Sequence, residues 1–124
     1  DVTGVQTCAL PISTIYHNPR CSKSRQALER LRDKGIEPDV IRYLETPPSA
    51  EKLRELITAA GLEVHDAVRT KETEYQELGL SPETPDDELL AAMVTHPRLI
   101  ERPFVVTAKG VRIARPTEAI DEIL

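Results

Sequence analysis

An α/β domain built on a mixed four-stranded sheet is the architecture this sequence predicts, and three observations predict it. From Ser13 onward, short apolar runs of strand character alternate with apolar stripes of helical spacing. The last two strand-like runs are joined by only Ala108-Lys109-Gly110, which makes them a hairpin. And 124 residues without internal repeats, low-complexity tracts or flexible linkers suffice for one domain and one core, not two.

The elements follow in order. Thr14-Ile15-Tyr16-His17 is the first strand. Asn18 is a good helix cap and Pro19 suits a first helical position, so a helix is expected to start there. Its Ser24, Ala27, Leu28 and Leu31 fall on one face, and Lys34-Gly35 closes it. Val40 to Leu44 is the second strand, laid parallel to the first by the right-handed crossover rule. After Thr46-Pro47-Pro48-Ser49, the spacing of Leu53, Leu56, Ile57 and Ala60 predicts a helix ended by Gly61. Residues 62–100 carry only helical fragments, near Val64 to Val68, near Glu72 to Leu78, and after Thr84-Pro85, and read as a helical insertion between strands two and three. Phe104 to Thr107 and Val111 to Ala114 form the hairpin, and Pro116 opens a last helix with Ala119, Ile120, Ile123 and Leu124 inward.

Residues 1–12 (DVTGVQTCALPI) show neither periodicity and stop where the strand pattern begins, so they are expected to be a non-native extension ahead of a domain at 13–124. Cys8 lies in that segment and reads as an incidental thiol.

Composition narrows the function classes. A formal charge of −5 argues against general nucleic-acid binding, so any anionic ligand must be met by a local basic cluster. No apolar run approaches the roughly 18–20 residues that span a bilayer, and no basic secretory start is evident, which predicts a soluble, cytoplasmic protein. With no Trp, one Phe and three Tyr, the core must be largely aliphatic.

Cys21 is the residue with the most chemistry to offer. Placed at the start of a helix, its thiolate is favoured by unpaired backbone N–H groups and by the positive end of the dipole. Arg20, Lys23, Arg25, Arg30, Arg32 and Lys34 add cations along the same run, and His17 at the strand end is placed to assist. Ser24 stands where a Cys-x-x-Cys motif would need its second cysteine, so an external thiol must resolve whatever Cys21 forms. Arg69, Arg102 and Arg115 each read singly as surface residues. Together with the helix start they would suit a tetrahedral oxyanion, since guanidinium groups give paired donors, but spacing leaves their convergence open. The Arg102-Pro103 step admits a proline at a strand's first residue or in a cis geometry. His65 and His96 lack metal-ligand spacing, and no metal is expected. Asp86-Asp87 reads as first-turn charge on a helix dipole.

One ordered set of motifs carries a resemblance. His17-Asn18-Pro19-Arg20-Cys21-Ser22-Lys23-Ser24-Arg25, Tyr43-Leu44-Glu45-Thr46-Pro47-Pro48, Arg69, Tyr75 to Leu80, His96-Pro97, Arg102-Pro103 and Arg115-Pro116 closely resemble the ArsC family of glutaredoxin-coupled arsenate reductases. The resemblance runs from about Ser13 to Leu124, and the Asn-Pro-Arg-Cys-Ser-Lys-Ser-Arg run looks most like its YfgD-like branch. It implies a thioredoxin-like fold and an oxidoreductase in which Cys21 attacks arsenate. It also implies that His17 helps hold the thiol ionised, that Arg69, Arg102 and Arg115 bind the oxyanion, and that Pro103 is the cis-proline position. Glutathione would be a co-substrate rather than a bound cofactor, glutaredoxin the partner, and the protein a monomer. Two other readings stand beside it: a related thiol oxidoreductase acting on another substrate, and a non-enzymatic Spx-like regulator. The missing Cys-x-x-Cys switch weighs against the regulator.

Overall fold

A computed structural model of the chain describes residues 13–101 and 103–124, so the readings made for residues 1–12, including Cys8, and for Arg102 lie outside the described residues. Its first unit is strand β1 (Thr14–Tyr16), helix α1 (Ser22–Asp33) and strand β2 (Asp39–Ile41), with β1 and β2 parallel and in register from Thr14 opposite Asp39 to Tyr16 opposite Ile41. Gly35 closes helix α1 just past its Lys34 cap, its φ of 81° letting its own N–H reach Arg32 O and the Ile36 N–H reach Leu31 O. Ile36 is thereby turned onto the face that α1 buries.

Helix α2 (Ala50–Ala59) starts on Ser49, whose side chain accepts the Lys52 N–H at 3.1 Å. The insertion that follows consists of a 3-10 turn (Val64–Ala67), the short helix α3 (Thr73–Glu77), helix α4 (Asp86–Thr95) and a second 3-10 turn (Pro97–Leu99). Asp86, Asp87 and Glu88 occupy the first turn of α4, as dipole compensation predicts. Strands β3 (Phe104–Thr107) and β4 (Gly110–Ile113) then form the hairpin, and a 3-10 helix (Thr117–Ile123) closes the described chain. The sheet order is β2-β1-β3-β4, with β3 antiparallel to both of its neighbours.

Alternation along the strands divides the core in two. Ile15, Val105 and Ala114 point to one face, where they pack with Ala27 and Leu31 of α1 and with Ile120 and Ile123. Tyr16, Phe104 and Val111 point to the other, against Leu53, Leu56 and Ile57 of α2 and Leu89, Leu90 and Met93 of α4. The insertion is therefore the cover of the second face rather than an appendage. Each fully buried aliphatic side chain contributes about 1.5–3 kcal/mol, so a core without Trp is carried largely by Leu, Ile and Val.

Several boundaries differ from the sequence expectation, each for a local reason. Helix α1 starts at Ser22, not at Pro19, because Asn18 to Cys21 first close a turn through Cys21 N to Asn18 O at 3.0 Å. Strand β2 stops at Ile41 because Arg42 to Thr46 fold into a turn, with the Glu45 and Thr46 N–H groups both on Arg42 O. The hairpin loop is two residues rather than three, since Gly110 pairs with Thr107. Gly110 has φ of 151°, and a Cβ there would meet Ile123 Cγ2 at 3.3 Å, so the closing helix is seated directly on the turn. That helix is 3-10 throughout, with Ile120 and Ile123 buried and Ala119 and Leu124 only partly so.

Candidate active site

Cys21 occupies the N-cap of α1 in an extended backbone conformation, with no side-chain hydrogen bond to the helix amides. Its thiol thus lies beside the helix start, one position ahead of the first turn in which the sequence placed it, and is partly accessible. The turn before it is held from both ends. Asn18 Oδ1 accepts the Arg20 N–H at 3.0 Å, and Arg25 Nη1 donates to Pro19 O at 2.9 Å. Of the basic run along α1, Arg25 therefore holds the loop that leads into Cys21. Arg30 and Arg32 do not: they pair with Asp121 and Glu37 on the surface, where ion pairs are worth about 0–1 kcal/mol.

His17 and Ser24 are the polar residues buried behind this turn. His17 Nδ1 and Ser24 Oγ lie 2.7 Å apart, and the same Oγ accepts the Asn18 N–H at 3.0 Å. Burial lowers the His17 pKa, and the charges of Arg42, Arg32 and Arg25 lower it further, so the neutral imidazole is the form that fits. Any help His17 gives Cys21 then runs through Ser24 and the Asn18 turn, not through a positive charge. A consequence for stability follows. Between its lowered folded value and its ordinary value near 6.5, the unfolded chain binds a proton that the folded chain refuses. The stability is intact above that window and falls as pH drops through it, with a slope of at most about 1.4 kcal/mol per pH unit. Urea unfolding between about pH 5 and pH 8 is expected to show this slope in the wild type and its loss in His17→Gln. Equal slopes would contradict the neutral assignment.

Tyr43 joins this centre to the arginines. It is almost wholly buried, and its hydroxyl pKa is raised, first by burial and next by the charge of Cys21. Arg69 and a hydrogen bond from Asn18 act in the opposite direction, and Glu101 adds to the rise. Cys21, Arg69 and Glu101 therefore all lie within electrostatic reach of one phenol. The motif containing Tyr43 was visible in the sequence, but no role for it was.

Arg69 and Arg115 are brought together, and the means is a carboxylate that sequence reasoning missed. Arg69 Nη1 lies 3.3 Å from Glu101 Oε1, and Arg115 Nε lies 3.6 Å from the same oxygen. Arg69 Nε also donates to Glu72 Oε2 at 3.2 Å, and Glu72 Oε1 accepts from Arg98 at 3.0 Å. Two clefts meet at this network. One, of about 490 Å³, is lined by Asn18, Arg20, Tyr43, Leu44, Glu72 and Arg98. The other, of about 160 Å³, is bounded by Arg69, Glu101 and Arg115. Chemically, the arrangement offers a thiol nucleophile at a helix start and paired guanidinium donors for an anion.

Pro103 is buried and its carbonyl accepts the Ala114 N–H at 2.9 Å, which extends the hairpin ladder. The isomer of the Arg102–Pro103 bond involves Arg102 and so lies outside the described residues; a cis bond occurs at Arg115–Pro116. His65 Nε2 pairs with the Tyr75 hydroxyl at 2.8 Å, a structural contact within the insertion. Among the described residues no cluster of His, Cys, Asp or Glu has the makings of a metal site, and no helix is long and apolar enough to cross a membrane.

Known proteins are similar to this chain in sequence and in fold. The model of the ArsC family matches residues 16–123. An arsenate reductase of Rhizobium meliloti (strain 1021) is 53% identical over 112 residues, covering 90% of this chain and 80% of that protein. The uncharacterized protein YfgD of Escherichia coli (strain K12) is 47% identical, covering 89% of this chain and 94% of that one. Among solved structures, an arsenate reductase from Vibrio cholerae superimposes with a TM-score of 0.88 at 50% identity, over 93% of this chain and 99% of that chain.

Proposed function

The chain belongs to the ArsC family, and we propose that it is an arsenate reductase in which Cys21 is the nucleophile, with glutathione and glutaredoxin as the source of electrons. The observation that carries this reading is a thiol at a helix N-cap in a fold where Arg69 and Arg115 converge on one carboxylate oxygen, Glu101 Oε1. The fold is the thioredoxin-like one of its relatives, and the chemistry is that of an oxidoreductase.

The residues divide the work as follows. Arg69 and Arg115, with Arg102, receive the oxygens of arsenate, and their charge offsets the repulsion between a dianion and a thiolate. Cys21 Sγ attacks arsenic, an As–S bond forms, and one oxygen leaves as water. Buried, neutral His17 holds Ser24, which holds the Asn18 turn, so the backbone that carries the thiol is fixed in place. Glutathione then adds its sulfur to arsenic, displacing a second oxygen as water. The glutaredoxin thiolate attacks the glutathione sulfur, and the electron pair of the breaking As–S bond reduces arsenic(V) to arsenic(III). Water hydrolyses the remaining As–S bond, releasing arsenite and Cys21. Ser24 in place of a second cysteine is consistent with electrons arriving from outside. Pro103 is the proposed cis-proline position, and the protein is read as a monomer of the cytoplasm, where thiols are kept reduced.

The test is arsenate-dependent oxidation of NADPH with glutathione, glutaredoxin and glutathione reductase supplied. Turnover that needs both glutathione and glutaredoxin supports the reading. Absence of turnover while Cys21 still reduces a glutathione mixed disulfide would move the assignment to another substrate. Capture of RNA polymerase by an inactive chain would move it to the regulator.

A further inference from the structure

The oxyanion arginines belong to segments far apart in the sequence, and backbone pairing determines how they meet. Arg69 N donates to Leu99 O at 2.7 Å and Glu101 N to Ala67 O at 2.7 Å, around an antiparallel bridge between Val68 and Ile100. Val68 and Ile100 turn into the core. Alternation then places Arg69 and Glu101 on the opposite face as diagonal neighbours, close enough for long side chains to touch. On the other side, the bond from Ala114 N to Pro103 O carries the hairpin one residue past β4, which brings Arg115 out beside the same chain. Glu101 sits where the two meet, with its side chain only 24% exposed.

We infer that Glu101 is the positioning residue of the oxyanion site, because its Oε1 lies 3.3 Å from Arg69 Nη1 and 3.6 Å from Arg115 Nε. Two guanidinium groups aimed at one small anion repel each other before the anion arrives. A carboxylate set behind them offsets that repulsion and selects, among their many rotamers, those that face a common point. Glu72 completes the hold by taking Arg69 Nε, so the Arg69 fork is fixed by a carboxylate on each of two sides. Glu101 does not act on arsenate itself. It acts through the arginines, and its loss is felt as weaker oxyanion binding rather than as slower chemistry. This assignment rests on the reading of Arg69 and Arg115 as oxyanion ligands.

The experiment compares wild type, Glu101→Ala and Glu101→Gln in steady-state arsenate reduction and in calorimetric titration with arsenate, glutathione omitted. Glu101→Ala is expected to raise KM and the arsenate Kd about tenfold, with kcat changed less than about threefold. Glu101→Gln, which is isosteric and keeps an acceptor oxygen without the charge, is expected to fall between, at about threefold. A merely structural role would lower thermal stability and leave the KM-to-kcat split unmoved. Variants that bind and turn over arsenate like the wild type, or bind it more tightly, overturn the Glu101 assignment alone. A wild type that neither binds nor reduces arsenate overturns the oxyanion reading, and the Glu101 role with it.

Discussion

Replacing Cys21 by serine is expected to abolish arsenate reduction, with a loss of at least about 10³-fold in kcat. The step that makes the As–S bond needs a soft, easily ionised sulfur, and a hydroxyl at the same position remains protonated at neutral pH. Among the described residues Cys21 is the free cysteine, and none of the others described offers a thiol to take over the attack. The substitution costs little elsewhere. Serine is a good N-cap residue, and Cys21 makes no cap hydrogen bond that it would have to replace. Unfolding midpoints of the two proteins are therefore expected to agree closely, or to favour the serine form slightly. Residual activity above a tenth of wild type would point to another nucleophile.

The second large effect is expected at Arg69. Arg69→Ala should lower kcat/KM by about 10²–10³-fold, the scale of losing one preorganised donor to a developing oxyanion. Arg69→Lys should recover only part of this, because an ammonium retains the charge but not the fork that engages Glu72, Glu101 and the anion together. Unlike the Cys21 change, the alanine variant should also be less stable, by about 1–3 kcal/mol. It takes one partner each from Glu72 and Glu101, whose side chains are only 16% and 24% exposed, and leaves them to Arg98 and Arg115. Equal activities of the alanine and lysine variants would indicate that charge, not bidentate geometry, is what Arg69 supplies.

The contrast between these two residues marks what the sequence made legible. Cys21 could be read because its context is local. Strand, Asn18-Pro19 turn and helix follow one another within a dozen residues, and the stripe of Ser24, Ala27 and Leu31 that orients the helix is a periodicity of the sequence itself. Even there the helix start was placed early, since the Asn18 to Cys21 turn uses the same residue types as a helix cap. The topology was legible for a similar reason: the crossover rule and the short hairpin leave few ways to order four strands.

The site's second half is non-local, and it was not legible. Arg69 meets Glu101 across 32 positions because 67–69 pairs with 99–101, a pairing too short to leave a strand signature in either segment. Glu72 and Glu101 carry no signal of their own in the sequence, and Tyr43 stands there only in a strand-like run and a motif; each takes its meaning from a partner in another element. The resemblance to the ArsC family implies a role for the arginines but carries no statement about the carboxylates beside them. The surface partners of Arg30 and Arg32, Asp121 and Glu37, are likewise non-local or loop residues that the helical periodicity of the α1 run does not reveal.

If Cys21 and the arginines form one oxyanion site, the rate of Cys21 alkylation by iodoacetamide responds to arsenate titrated with glutathione omitted. Saturable protection in the wild type, lost in Arg69→Ala at the same arsenate concentrations, is the predicted result. An alkylation rate indifferent to arsenate, or protection that survives unchanged in Arg69→Ala, would contradict it.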